Sequence, residues 1–99
     1  MNIKINAVHF KADKKLDAFI KERIEKLGTF FEGVIGCEVM LKLENSEDGE
    51  NKLAEVRLII KGYDLFAKKE STTFEAAIDS AVEALRKQLV KYKEKVRRK

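Results

Sequence analysis

Residues 86–99 read RKQLVKYKEKVRRK, eight lysines and arginines against a single acid, Glu94. Cationic side chains repeated at this interval do one kind of chemistry well: they neutralise phosphates, and the polyanion that meets them releases its condensed counterions. Residues 1–85 hold 13 basic and 16 acidic groups, so a net +7 at one end of the chain stands against a net −3 over the rest. The overall charge of +4 hides that asymmetry. It points to a polyanionic partner, nucleic acid first and an anionic membrane surface second.

Other reactive residue types are sparse. His9 is the sole histidine, and HFKAD sets Asp13 four residues after it with no nucleophile or second ligand at a useful spacing. Cys37 is the sole cysteine, which excludes an intrachain disulfide and a thiolate metal cluster. It lies in CEVMLKL, where Cys37, Val39, Leu41 and Leu43 alternate with more polar neighbours, and it reads as a small buried hydrophobe. A reactive thiol would need an electropositive site, and Glu38 adjoins it. The acids of ENSEDGE lack the alternating ligands and closing bidentate Glu of a calcium loop and suit a solvated hairpin turn. No glycine-rich phosphate loop occurs. These residues predict a protein that is not an enzyme and needs no cofactor and no metal.

The elements that must carry the basic run follow from periodicity. In NIKINAV, residues 2–8, Ile3, Ile5 and Ala7 alternate with polar residues as in a strand. Asp13 is placed to cap a helix in which Leu16, Phe19, Ile20, Ile24 and Leu27 recur at helical spacing, with Gly28 as its expected end. A strand over 37–43, the turn-rich ENSEDGEN and the alternating LAEVRLIIK predict a hairpin, and Gly62, Tyr63 and Asp64 a second turn before a short strand in LFAKKE. A hydroxyl among Ser71, Thr72 and Thr73 can cap the last helix, where Phe74, Ile78, Ala81, Val82, Leu85, Leu89, Tyr92 and Val96 step by three and four. The order β-α-β-β-β-α, with a right-handed parallel crossover and then hairpins, predicts an α+β fold. Its four-stranded mixed sheet carries both helices on one face. Ninety-nine residues without proline, repeats or low-complexity stretches predict one domain spanning 1–99. MNIKINA opens the chain without a long apolar segment, so the expected location is the cytoplasm.

At about 100° per residue, Lys87, Lys91, Lys95 and Arg98 fall opposite the apolar side of the last helix. A lysine-rich face can serve solubility alone, but such faces usually interleave Glu at i,i+4, and here acids are nearly absent. Lys15, Arg23 and Lys26 follow one flank of the first helix. With the helices side by side, that flank and the C-terminal stripe are expected to make one continuous basic surface. The open sheet face would carry Lys4, Glu38, Lys42, Glu44, Glu55, Arg57 and Lys61, with little net charge.

TFEAAIDSAVEALRKQLVKYKEKVRR resembles the last helix of the ribosome hibernation promoting factor and ribosome-associated translation inhibitor family. FEAAID matches an aromatic-x-Ala-Ile-Asp opening, and Leu85 to Lys95 a Leu-x-x-Gln-Leu-x-Lys-x-Lys-x-Lys run. LDAFIKERIEKLGTFF is similar to the family's first helix, and VMLKLE and GYDLFA to its strands. The resemblance implies a short-form stress or stationary-phase factor. It would bind the small ribosomal subunit in the channel of mRNA and the A- and P-site tRNAs and inhibit by occupancy. Short forms promote 100S dimers with a separate partner or silence 70S particles. By this analogy Arg23, Lys26, Lys87, Gln88, Lys91, Lys93 and Lys95 contact 16S rRNA, mainly its phosphates; Arg86, Arg97 and Arg98 join them on charge alone. Thr72, Thr73 and Phe74 replace an Asp-Met-Tyr type of entry, which removes a Tyr hydroxyl but keeps the aromatic ring.

The expected partners are therefore the small ribosomal subunit and 16S rRNA, with no membrane and no small-molecule substrate, and the free protein is expected to be a monomer. A general double-stranded RNA binder is the competing reading, because a sheet with two helices on one face suits shape and phosphate recognition. A membrane-surface or protein-partner module is the weakest, since a helix whose apolar side packs on its own sheet has nothing left to insert in lipid.

Overall fold

Alternating sequence becomes alternating burial in the computed structural model, which describes residues 1–45 and 47–97. The order is β1 (Asn2–Ala7), α1 (Lys14–Phe30), β2 (Val34–Leu43), β3 (Lys52–Ile60), β4 (Tyr63–Ser71) and α2 (Phe74–Arg97). The sheet runs β1-β2-β3-β4, with β1 parallel to β2 and the other pairs antiparallel. The registers line up two apolar rows across all four strands: Ile3, Cys37, Leu58 and Leu65, then Ile5, Val39, Val56 and Ala67. Cross-strand neighbours of this kind are the unit of sheet stabilisation. Ile20, Ile24 and Leu27 of α1 and Ala77, Ile78, Ala81, Leu85 and Leu89 of α2 close over those rows in one core cluster. The expected α+β architecture, with both helices on one face, is thus the observed one.

Three boundaries differ from the sequence reading. Helix α1 does not stop at Gly28 but runs to Phe30, where the Phe31 amide donates to the Leu27 carbonyl. A mid-helix glycine costs about 0.5–1 kcal/mol, which the packing of Leu27, Phe30 and Phe31 against the core outweighs. Strand β2 begins at Val34, with an irregularity between Val34 and Gly36 that turns Ile35 outward. Strand β4 is nine residues long because it pairs with β3 from Tyr63 to Ser71. Both caps are side-chain oxygens: Asp13 Oδ1 accepts from the Leu16 amide at 2.8 Å, and Thr73 Oγ1 from the Ala76 amide at 3.0 Å.

The helices run in the same sense. Phe10, before α1, stacks on Phe74 at the start of α2 with centroids 5.1 Å apart, Arg23 meets Asp79, and Phe30 at the end of α1 meets Lys93. Two parallel crossings of the same sheet face therefore leave both helix C-termini, and the last turns of α2, at the end that holds the β3–β4 turn. There Tyr63 stacks on Tyr92, and Gly62 turns the chain at φ +76°, a conformation open to glycine.

Candidate nucleic-acid interface

Helix α2 is polarised. Residues 74–83 carry three acids and no base, whereas 84–97 carry six bases and one acid. Both halves suit the helix dipole, but one or two terminal cations would satisfy it, so the remainder are available for something else.

The basic residues divide by what they touch. Lys87, Lys91 and Lys95 are exposed and make no ion pair among the described residues. Arg86 is exposed and lies 3.5 Å from Glu83. Lys93 is half-buried: its Nζ donates to the Phe30 carbonyl at 3.3 Å and sits 4.7 Å from the centroid of the Phe30 ring. Gln88 donates from Nε2 to the Phe66 carbonyl at 2.9 Å, tying α2 to the edge strand β4. Arg97 closes α2, and its side chain, like Arg98, lies outside the described residues.

On α1, Arg23 is held between elements. Its Nε donates to Asp79 Oδ1 at 2.9 Å, Nη1 meets Glu22 at 3.1 Å, and the guanidinium lies 4.3 Å from the centre of the Phe19 ring. Its side chain is only 31% exposed, against 69% for Lys26, whose ammonium is 3.6 Å from Glu22. Lys26 falls between Arg23 and Phe30, so it lies alongside the stretch of α2 between Asp79 and Lys93. The expected single basic surface across both helices is thus interrupted at its Arg23 end by Glu22 and Asp79. Asp79 is the acid that the contacts place between the first half of α2 and α1.

The opposite face of the sheet is charge-balanced. The registers set Lys4, Glu38, Arg57 and Phe66 in one row and Asn6, Met40, Glu55 and Lys68 in the next. Opposite charges alternate across the strands, so this face carries little net charge to attract a polyanion. Cys37 is buried on the helix side, where burial first and the Glu38 carboxylate second push its thiol up to about 12. His9 is exposed in the turn after β1, at φ 63°. No group of three or more histidine, cysteine or acidic residues among the described residues is placed to hold a metal ion.

Sequence reading treated Tyr92 as core and Tyr63 as part of a turn. Together with Gln88, Lys91, Lys95 and Val96 they line a groove of about 640 Å³ at the overhanging end of α2. The only available signal was that Tyr92, one of the chain's two tyrosines, falls inside the basic run, while nothing in the sequence placed Tyr63 beside it.

A sheet with two parallel helices on one face and a last helix that is acidic at its start and cationic at its end defines a class of small α+β proteins. Residues 3–97 match the family described as Sigma 54 modulation protein / S30EA ribosomal protein, and the chain belongs to that family. It is 27% identical over 95 residues to a protein named ribosome hibernation promoting factor from Pseudomonas putida, covering 96% of this chain and 89% of that one. It is 26% identical over 97 residues to the protein of the same name from Klebsiella oxytoca, covering 98% of each. Its fold superposes on the N-terminal domain of Protein Y from Thermus thermophilus with a TM-score of 0.79 at 22% identity, covering 93% of this chain and 99% of that one. On a ribosomal subunit interface protein from Coxiella burnetii the score is 0.84 at 16% identity, covering 95% and 99%.

Proposed function

We propose that residues 1–99 act as one ribosome-binding domain. It docks as a monomer on the small subunit through 16S rRNA phosphates and inhibits translation by filling the channel of mRNA and the A- and P-site tRNAs. The observation that carries this reading is the set of exposed ammonium groups on Lys87, Lys91 and Lys95, which the described residues leave without an ion pair. Family membership and relatives named as hibernation promoting factors support the ribosome as the source of the phosphates. Lys26 and Arg86 are further exposed cations on α1 and α2, each within reach of one glutamate. Arg23, Gln88 and Lys93 support the lysine set differently, by fixing α2 against α1 and β4 so that the free lysines are presented on a rigid helix. Inhibition by occupancy needs no chemistry, and silencing of 70S particles follows from it directly. Promotion of 100S dimers would require a further surface or partner.

The test is co-sedimentation of the purified protein with vacant small subunits, with subunits filled by mRNA and tRNA, and with naked duplex RNA. Binding to vacant subunits that is lost on filling is the expected result. Equal binding to filled subunits would sink the channel reading, and a preference for naked duplex would favour a general double-stranded RNA binder.

A further inference from the structure

The groove at the end of α2 carries more than charge. Tyr92 is half-buried and held on two sides: Phe31 meets it edge-on with centroids 5.5 Å apart, and Tyr63 stacks on it at 5.5 Å with rings 21° from parallel. The three rings form a short column whose inner members are fixed by the core and whose outermost ring, Tyr63, is 53% exposed. Tyr63 thus presents a flat aromatic ring at the start of β4, beside the β3–β4 turn, where a planar partner can stack. Lys91 and Lys95 line the same groove about one helical turn apart, about 6 Å along the axis. Neither is paired with an acid among the described residues. A flat ring with cations at its side matches an unstacked nucleobase with its flanking phosphates. A duplex would satisfy the lysines but leave the ring unused, because its base faces are already stacked.

We propose that Tyr63, backed by Tyr92, is a stacking platform for one unpaired base of single-stranded RNA, with Lys91 and Lys95 holding the adjoining phosphates. This rests on the RNA-binding reading above and specifies what that surface takes: an exposed single-stranded nucleotide. Base–aromatic stacking is worth about 1–3 kcal/mol, or roughly 5- to 140-fold in affinity.

The test uses the full chain and a short single-stranded uridine oligonucleotide, with a duplex of equal length as control. Tyr63 and Tyr92 are the only tyrosines and there is no tryptophan, so intrinsic emission, corrected for absorption by the RNA, reports on this groove alone. The expected results are quenching of that emission by the oligonucleotide and a roughly 5- to 140-fold loss of its affinity in Tyr63→Ala. Tyr63→Phe retains affinity because the ring remains, and duplex binding is the same in all three proteins. Tyr63→Leu keeps an apolar contact on Tyr92 without a flat face, so it should lose affinity like the alanine variant even if that one folds poorly. Unchanged oligonucleotide affinity in Tyr63→Leu, or equal losses for single strand and duplex, overturns the platform. The ribosome is a separate arm. Subunit binding that persists with no effect of Tyr63→Leu on the oligonucleotide fails the platform alone. A Tyr63-dependent oligonucleotide complex without subunit binding fails the ribosomal reading alone.

Discussion

Cys37 shows how a single residue type is decided by its surroundings. Its thiol is 1% exposed and pushed up to about 12, so it stays protonated and unreactive in the folded protein. Thiol-directed alkylation at pH 8 should therefore proceed only as fast as the protein unfolds, and labelling without denaturant would contradict the burial. The same shift has a sign. Above the ordinary thiol value the unfolded chain loses the proton while the folded chain keeps it, so stability falls as pH rises toward about 12. Cys37→Ala should flatten that decline relative to the parent, by up to about 1.4 kcal/mol per pH unit. Core leucines behave more simply. Leu85 and Leu89 are fully buried, and either leucine-to-alanine change should cost about 2–5 kcal/mol in denaturant titration.

At the scale of elements, α2 separates fold from binding on two sides of one helix. Reversing Lys87, Lys91 and Lys95 to Glu should abolish subunit binding with little change in melting temperature, since exposed substitutions usually stay within about 0.5 kcal/mol each. A variant that unfolds would show the stripe to be structural. Arg23 calls for the opposite expectation. Its bonds to Asp79 and Glu22 join α1 to α2 and to its own neighbour, so Arg23→Glu sets three carboxylates together and should lower stability before it affects affinity. Lys26→Glu is the cleaner probe of the α1 flank. It should weaken subunit binding, whereas Lys42→Glu on the balanced sheet face, with the same change in net charge, should do much less. Equal losses would mean diffuse attraction with no docked site.

For the whole molecule, the consequence is a polarity: one charge-balanced sheet face, and a cationic helical end reached by α2 as it overhangs the sheet. Association driven by that end must weaken with salt. With about four phosphate contacts, from Lys26, Lys87, Lys91 and Lys95, the affinity should fall roughly 50- to 150-fold between about 50 and 200 mM salt. A flat salt profile would remove the electrostatic account. No helix among the described residues is long and apolar enough to cross a membrane. The apolar side of α2 is spent on the core down to Leu89.

Sequence alone determined the element order, the faces of the strands and the amphipathic last helix, because periods of two and of three to four residues are local and each apolar position had one side to bury. Asp13 as a cap and Ala54, Val56, Leu58 and Ile60 as an inward row were legible for that reason. Charge clustering at residues 86–99 was equally legible, and so was the family. Tertiary structure alone decided which cations remain available. Composition counts Arg23, Lys87 and Lys93 alike, yet Arg23 finds Asp79, 56 residues away, and Lys93 finds the Phe30 carbonyl, 63 residues away. Likewise Tyr63 and Tyr92 become one column only because the β3–β4 turn and the end of α2 arrive at the same place. Ion pairs and ring stacks act over a few ångströms between residues distant in sequence, and only the packing of α2 between β4 and α1 brings those residues together.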